Sequence, residues 1–172
     1  MTQGRWLNEQ EQRMWRSFQG MWRTLDRALE RDLMDGAALS AADFAVLVPL
    51  SEAPERRLRA GDLGRCLDWD RSRLSHQIRR MEQRELLTRS SCPTDARGTF
   101  IELTEQGWEM VQQAAPGHVQ AVRANFFDVL TDADVLALED ISRRVNDRIG
   151  SLNLDHDPCA KAPKAVKAAA TL

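Results

Sequence analysis

The sequence predicts a mainly helical fold with one small β-hairpin, an α+β class, on three observations. Apolar residues recur at helical spacing along most of the chain. Two helices follow each other closely across the turn Leu67-Asp68-Trp69. Two short strand-like runs bracket the turn-forming segment Pro93-Thr94-Asp95-Ala96-Arg97-Gly98.

The elements follow in order. Asn8 to Leu33 reads as one long amphipathic helix: Trp15, Phe18, Trp22, Leu25 and Leu29 recur at spacings of three and four, with Met14, Met21 and Ala28 beside them. Asp35-Gly36 is expected to close it with left-handed turn chemistry. Ser40 caps a second helix, Ala41 to Ser51, which ends before Pro54. Leu58 to Leu87 holds two helices, a short one over Arg59 to Cys66 and one that Asp70 caps and that runs to about Arg84.

Thr88 to Cys92 and Thr99 to Leu103 form the hairpin, with a polar, arginine-tipped loop. Thr104 caps a helix reaching about Leu130, which Pro116-Gly117 is expected to kink or interrupt. Thr131 caps a last helix carrying Leu136, Leu138, Ile141, Val145 and Ile149. From Asn153 onward Ala, Lys and Pro dominate without apolar period, which predicts a flexible tail over 153–172. The two end segments, 1–36 and 104–152, carry apolar stripes too broad for one small domain to cover. A second copy of the chain is their simplest cover, so they are predicted to dimerise around a central lobe, 37–103.

With 172 residues, 24 Lys+Arg against 26 Asp+Glu and a net charge of −2, the chain has ordinary soluble composition. No apolar run approaches the roughly 18 residues of a membrane span, and the N-terminal residues lack signal-peptide order. Cys66, Cys92 and Cys159 are too few and too scattered for a disulfide framework or metal knot, so a reducing cytoplasm is expected, with no metal and no cofactor. The net charge hides a split. Glu55 to Arg97 holds eleven arginines and seven acids, a local +4 that leaves −6 for the rest. A basic central module between acidic segments fits a nucleic-acid binder, although an arginine-rich stretch is also often only a solvated helix face.

On the Asp70-capped helix, Leu74, Ile78 and Met81 make one narrow apolar stripe. At about 100° per residue, Ser72, His76, Arg79, Arg80 and Gln83 fall opposite it, with Arg73 and Ser75 on the flanks and Arg71 in the first turn. A helix entering the major groove needs such a capped start, short polar residues for close approach, and arginines for guanine edges and phosphates. The competing reading is a surface helix whose arginines pair with Glu82 and Glu85. Arg97 beside Gly98 suits a tip that slides into a narrow minor groove. Asp95 would be repelled by phosphate, so its expected task is to brace Arg97 or cap the loop.

These pieces together resemble the MarR family of winged helix-turn-helix repressors over about residues 8 to 150. The resemblance rests on Leu58-x4-Leu63, Asp70-x3-Leu74, the run from Arg80 to Leu87, Leu103-Thr104-Glu105-Gln106-Gly107 and, most specifically, Asp95-Ala96-Arg97-Gly98. Two positions depart from the pattern: Asp70, where Ser or Thr is usual, and Leu86, where Gly is common. Asp70 removes a possible hydroxyl–phosphate contact. The resemblance implies a homodimer on a pseudo-palindromic double-stranded DNA operator, with half-sites about one helical turn apart. It also implies control by a small aromatic acid or phenolic effector in the crevice between the dimer helices and the DNA-binding lobe.

A ligand pocket can be drawn from Trp15, Arg16, Trp22, Phe44 and Leu47, an aromatic box with one carboxylate clamp; the same residues also fit plain dimer core. His118 is expected either to wall that pocket or to sit satisfied on its helix surface. Three rival functions compete with this reading. An enzyme finds no support: the three histidines lie in three separate segments, and no catalytic or phosphate-cradling motif is present. A thiol redox sensor of the same fold would have to use Cys92, beside the wing turn, because Cys66 reads as a small buried residue. A winged-helix protein–protein module would leave Arg73 and Arg97 without a DNA role.

Overall fold

The computed structural model describes residues 5–92 and 95–150, and at 92 and 95–98 the backbone only. Helix α1 spans Glu9–Ala37. Its start is fixed by a reciprocal pair of bonds: the Asn8 side chain accepts from the Glu11 amide (2.9 Å), and the Glu11 carboxylate accepts from the Asn8 amide (2.7 Å). The expected stop at Asp35-Gly36 is not used. The helix runs through both residues and ends at Ala38, which adopts the left-handed conformation (φ 51°) and donates to the Leu33 and Met34 carbonyls. The next residue, Leu39, is fully buried, and its burial offsets the roughly 1–2 kcal/mol that a left-handed alanine costs.

Helix α2, Ala41–Glu52, starts at the predicted Ser40 cap, with Asp43 completing a second capping box. A 3-10 turn over Pro54–Arg56 leads into a strand that the sequence did not signal: β1, Arg57–Arg59, in the stretch read as helical. Three residues are too few for a period, and its partner lies some forty positions away. Helix α3, Ala60–Leu67, ends at left-handed Asp68. Helix α4, Arg71–Gln83, follows the Asp70 cap as expected.

Strands β2, Leu87–Cys92, and β3, Asp95–Leu103, form the hairpin, and β1 adds to the far edge of β3, giving the antiparallel order β1-β3-β2. Leu58 pairs with Ile101 on one side, and Arg89 pairs with Ile101 on the other. The hairpin departs from the prediction at its tip. Ser91 pairs with Thr99 but Cys92 with Asp95, so residues 96–98 are surplus on β3 and bulge from the ladder. Arg97 and Gly98 therefore belong to a strand rather than to the loop.

Helix α5, Glu105–Asn125, is capped by Thr104 and continues unbroken through Pro116-Gly117, contrary to the expected interruption. A proline removes one helical hydrogen bond, and packing of α5 on both α1 and α2 holds the helix together around that loss. It stops short of Leu130, and a 3-10 turn over Phe127–Val129 intervenes. Helix α6, Asp132–Gly150, begins where the Thr131 hydroxyl and amide bond the Asp134 carboxylate. The tail read over 153–172 lies outside the described residues.

One core holds these elements. Leu47 and Leu50 of α2, Leu63 of α3, Leu74, Ile78 and Met81 of α4, Leu86 just before β2, Leu87 and Ile101 of the sheet, and Val111 of α5 are all buried together. Leu33 is the only buried residue of α1, and α6 buries none. The two longest apolar stripes thus stand open. Trp15, Phe18 and Trp22 on α1, and Leu136, Ile141, Val145 and Ile149 on α6, are all exposed. Gly107 sets the joint between sheet and α5: a Cβ there would lie 2.0 Å from the Leu86 carbonyl oxygen.

Candidate nucleic-acid interface

Helix α4 divides as its sequence divides. Leu74, Ile78 and Met81 are buried, while Arg71, Ser72, Arg73, Ser75, His76, Arg79 and Arg80 are all exposed on the outer surface. The Asp70 carboxylate accepts from the amides of Ser72 (2.8 Å) and Arg73 (2.9 Å), which fixes the first turn. Asp70 thus supplies the cap that a hydroxyl residue would supply. Leu86, the other departure from the family pattern, is a fully buried core residue.

Gln77, also buried, was not singled out in the sequence. Its amide donates at 2.6 Å to Asp43, the only buried carboxylate among the described residues. Arg84, just past the end of α4, donates to the second Asp43 oxygen at 2.7 Å and to the Ala38 carbonyl at 3.0 Å. The helix is thereby held at its middle and at its end against the α1–α2 corner. Burial pushes the Asp43 carboxyl upward, yet the bonds from Ser40 and from the Arg84 guanidinium, with its charge, outweigh that and hold it below its ordinary value. No sequence period marks this network, because its members lie 34 and 41 positions apart.

The arginines of the basic segment fall into two sets. Arg56 bonds Glu105 and lies 4.1 Å over the Trp108 ring; Arg57 pairs with Glu55; Arg65 pairs with Asp62; Arg84 pairs with Asp43; Arg89 pairs with Glu82. Arg59 stacks over Phe100. Among the described residues no carboxylate lies within ion-pair distance of Arg71, Arg73, Arg79 or Arg80. The reading of α4 as a surface helix whose arginines pair with Glu82 and Glu85 therefore does not hold. Glu82 is taken by β2, and Glu85 sits in a left-handed turn.

The side chains of Asp95, Arg97 and Gly98, and the Cys92 thiol, lie outside what is described. Cys66 on α3 is disulfide-bonded and partly exposed, which corrects the expectation of a small buried free residue. A lone helical cysteine carries no sequence signal of the sulfur it meets. Among the described residues no cluster of His, Cys, Asp or Glu could hold a metal ion, and no single helix is long and apolar enough to cross a membrane.

The six residues drawn as a ligand pocket do not converge within one chain. Trp15, Arg16 and Trp22 point outward from α1, and Leu47 is sealed in the core. Phe44 and His118 do meet, with ring centroids 4.7 Å apart. His118 is not a satisfied surface histidine. Its Nδ1 is buried and has no hydrogen-bond partner among the described residues, and burial depresses its pKa against the opposing pull of Asp32. It lines a cleft of about 430 Å³ between the C-terminal end of α1 and α5, with Asp32, Gly36, Gln113 and Asn125. The residues on the α1 and α5 sides of this cleft were missed because none belongs to an aromatic pattern.

Comparison with known proteins agrees with this geometry. The MarR family model matches residues 39–99, from the end of α1 into the wing. Sco3205 of Streptomyces coelicolor, a MarR family transcriptional regulator solved in complex with DNA, is 39% identical, covering 86% of this chain and 92% of its own at a TM-score of 0.81. AbsC, a MarR family transcriptional regulator of the same organism, is 38% identical over 86% of this chain and 99% of its own, with a TM-score of 0.82. The HTH-type transcriptional regulator MhqR of Bacillus subtilis (strain 168) is 28% identical over 107 residues, 62% of this chain and 72% of MhqR. With a winged helix-turn-helix built as in these proteins, and with that identity along nearly the whole of Sco3205, the chain belongs to the MarR family of transcriptional regulators.

Proposed function

We propose that this regulator binds a pseudo-palindromic operator in double-stranded DNA as a homodimer, acting in the cytoplasm, and that a small aromatic or phenolic acid releases it. The observation that carries the DNA reading is the outer face of α4, where among the described residues four arginines stand without a carboxylate while Arg65, Arg84 and Arg89 near them are paired. Guanidinium groups left unneutralised on one exposed helix face suit guanine edges and phosphates. Arg71, Ser72, Arg73, Ser75, His76, Arg79 and Arg80 are the proposed reading and anchoring set, with Arg97 and Gly98 of the wing in the minor groove and Asp95 as brace. Sco3205, solved with DNA, supports the same mode of use.

The division proposed is a reading lobe over 37–103 and dimerisation helices over 1–36 and 104–152. The open apolar faces of α1 and α6 support the dimer. A body lying across two major grooves blocks that DNA to other proteins, so repression is the output proposed. The effector reading is supported by the cleft beside His118, whose buried Nδ1 has no partner among the described residues and can bond an acid or phenol. Trp15, Arg16 and Trp22 would join such a site only from a second copy.

The test is selection of duplexes from a randomised pool by the purified chain, followed by titration of the enriched duplex. Enrichment of an inverted repeat with half-sites about one helical turn apart is expected, together with a dimer in sedimentation. Recovery of no sequence preference overturns the reading. A thermal-shift screen of aromatic acids against the DNA-bound and free protein then tests the effector; a compound that raises the melting temperature should also release the duplex.

A further inference from the structure

We infer that Trp69, in the turn before α4, is a specificity-determining positioning residue that aims Arg73 at one base pair of each half-site. This rests on the proposed base-reading role of α4. The guanidinium carbon of Arg73 lies 4.2 Å from the centre of the Trp69 ring, a stacked cation–π contact. An arginine on an exposed helix face ordinarily sweeps many rotamers, and ordering it opposes binding. Stacking on an indole face removes much of that freedom before DNA arrives. A ring that covers one face of a guanidinium leaves its in-plane N–H donors free to bond. That edge is the part that bonds guanine O6 and N7.

The platform is itself rigid. The Trp69 amide donates to the Gly64 carbonyl at 3.0 Å, and its side chain packs against the core that holds Leu74 and Ile78. The preceding residue is locked in the left-handed conformation, and the following one caps α4. Asp70 spends its bonded oxygen on backbone amides and forms no ion pair with Arg73 among the described residues, so it does not compete for the guanidinium. Arg71, Arg79 and Arg80 have no aromatic platform among the described residues, which makes Arg73 the pre-aimed one of the four.

The experiment repeats the duplex selection with Arg73→Ala, Trp69→Leu, Trp69→Phe and the double variant Arg73→Ala/Trp69→Leu, each checked for an unchanged circular dichroism spectrum and melting temperature. Arg73→Ala should erase the preference at one base pair per half-site. Trp69→Leu should blur that same base pair and no other, weaken operator binding roughly 5- to 20-fold for the two half-sites together, and leave non-operator binding unchanged. Trp69→Phe should restore most of the preference, and Trp69→Leu should add nothing in the Arg73→Ala background. If Arg73→Ala changes no preference, the base-reading role of Arg73 fails. If Arg73→Ala erases a position that Trp69→Leu leaves intact, or Trp69→Leu weakens operator and non-operator duplexes alike, the platform role fails. Should Trp69→Leu lower the melting temperature, Trp69→Phe decides: a blurred position in a fully folded Trp69→Phe also overturns the inference.

Discussion

The winged lobe and the long helices dispose of their side chains in opposite ways. In the lobe, every large apolar side chain of α4 is buried, Asp43 and Gln77 are bonded to each other, and what remains outward is a set of arginines without an ion pair among the described residues. On α6 the charges are largely answered locally, as where Arg143 and Arg144 both reach Asp140, whereas among the described residues only Arg13 is paired of the arginines on α1; what both helices leave outward is a long apolar stripe of tryptophan, phenylalanine, leucine and isoleucine. One region is complete in packing and open in charge; the other is open in packing. The difference teaches which partner each wants. Unpaired guanidinium groups are satisfied by an anionic polymer, and an uncovered apolar stripe is satisfied by another like it.

The contrast breaks most directly at the apolar stripe. Ile141→Asp on α6 places a charge in the proposed contact of both copies; with about 2 kcal/mol for one buried anchor, dimer dissociation should strengthen roughly 30-fold or more per side. Sedimentation velocity across a concentration series reads this, and an unaltered chain that is already monomeric would refute the open-packing half of the comparison. The joint between the two regions comes next. Gly107→Ala drives a methyl into the Leu86 carbonyl, and a loss of about 3 kcal/mol in chemical unfolding is expected, since backbone must shift to admit it.

On the charged side, Arg80→Ala should leave unfolding unchanged and lower the slope of log affinity against log salt by roughly two in a dimer, one phosphate per half-site. An unaltered slope would place Arg80 off the backbone. The smallest effect is a pH dependence. Because the folded His118 pKa lies below the ordinary 6.5, the unfolded chain takes up a proton first as pH falls, so stability declines from about pH 6.5 downward and levels off below the folded value. Melting temperatures of His118→Gln should lack that decline. Asp43, held below its ordinary value of 3.8, contributes stability above about pH 4 that is lost only on further acidification; the acid limb should therefore persist in the His118 variant.

Much of the fold was legible because it is local. The caps Ser40, Asp70, Thr104 and Thr131 act on amides within a turn of themselves, and the stripe of α4 is a matter of 100° per residue, so the outward residues of α4 could be named in advance. Strand β1 could not, since three residues become a strand only when β3 arrives beside them. The break expected at Pro116-Gly117 failed for a related reason: local propensity was overridden by packing against two neighbouring helices. The pocket drawn from aromatic residues does not close within one chain, because helical spacing tells which residues share a face, not which of two faces a neighbour covers.

The sequence by itself determined that a basic module of eleven arginines sits between acidic segments, and that one capped helix carries four of them outward. Only the tertiary structure decided which arginines are free. Arg56, Arg57, Arg65, Arg84 and Arg89 have the same composition value as Arg71, Arg73, Arg79 and Arg80, yet the first set is neutralised by carboxylates and, among the described residues, the second is not. Charge is a property of residues and can be summed along a chain. Its availability depends on distances of a few ångströms, and several of those, such as Arg84 to Asp43 and Arg56 to Glu105, are closed by residues dozens of positions apart.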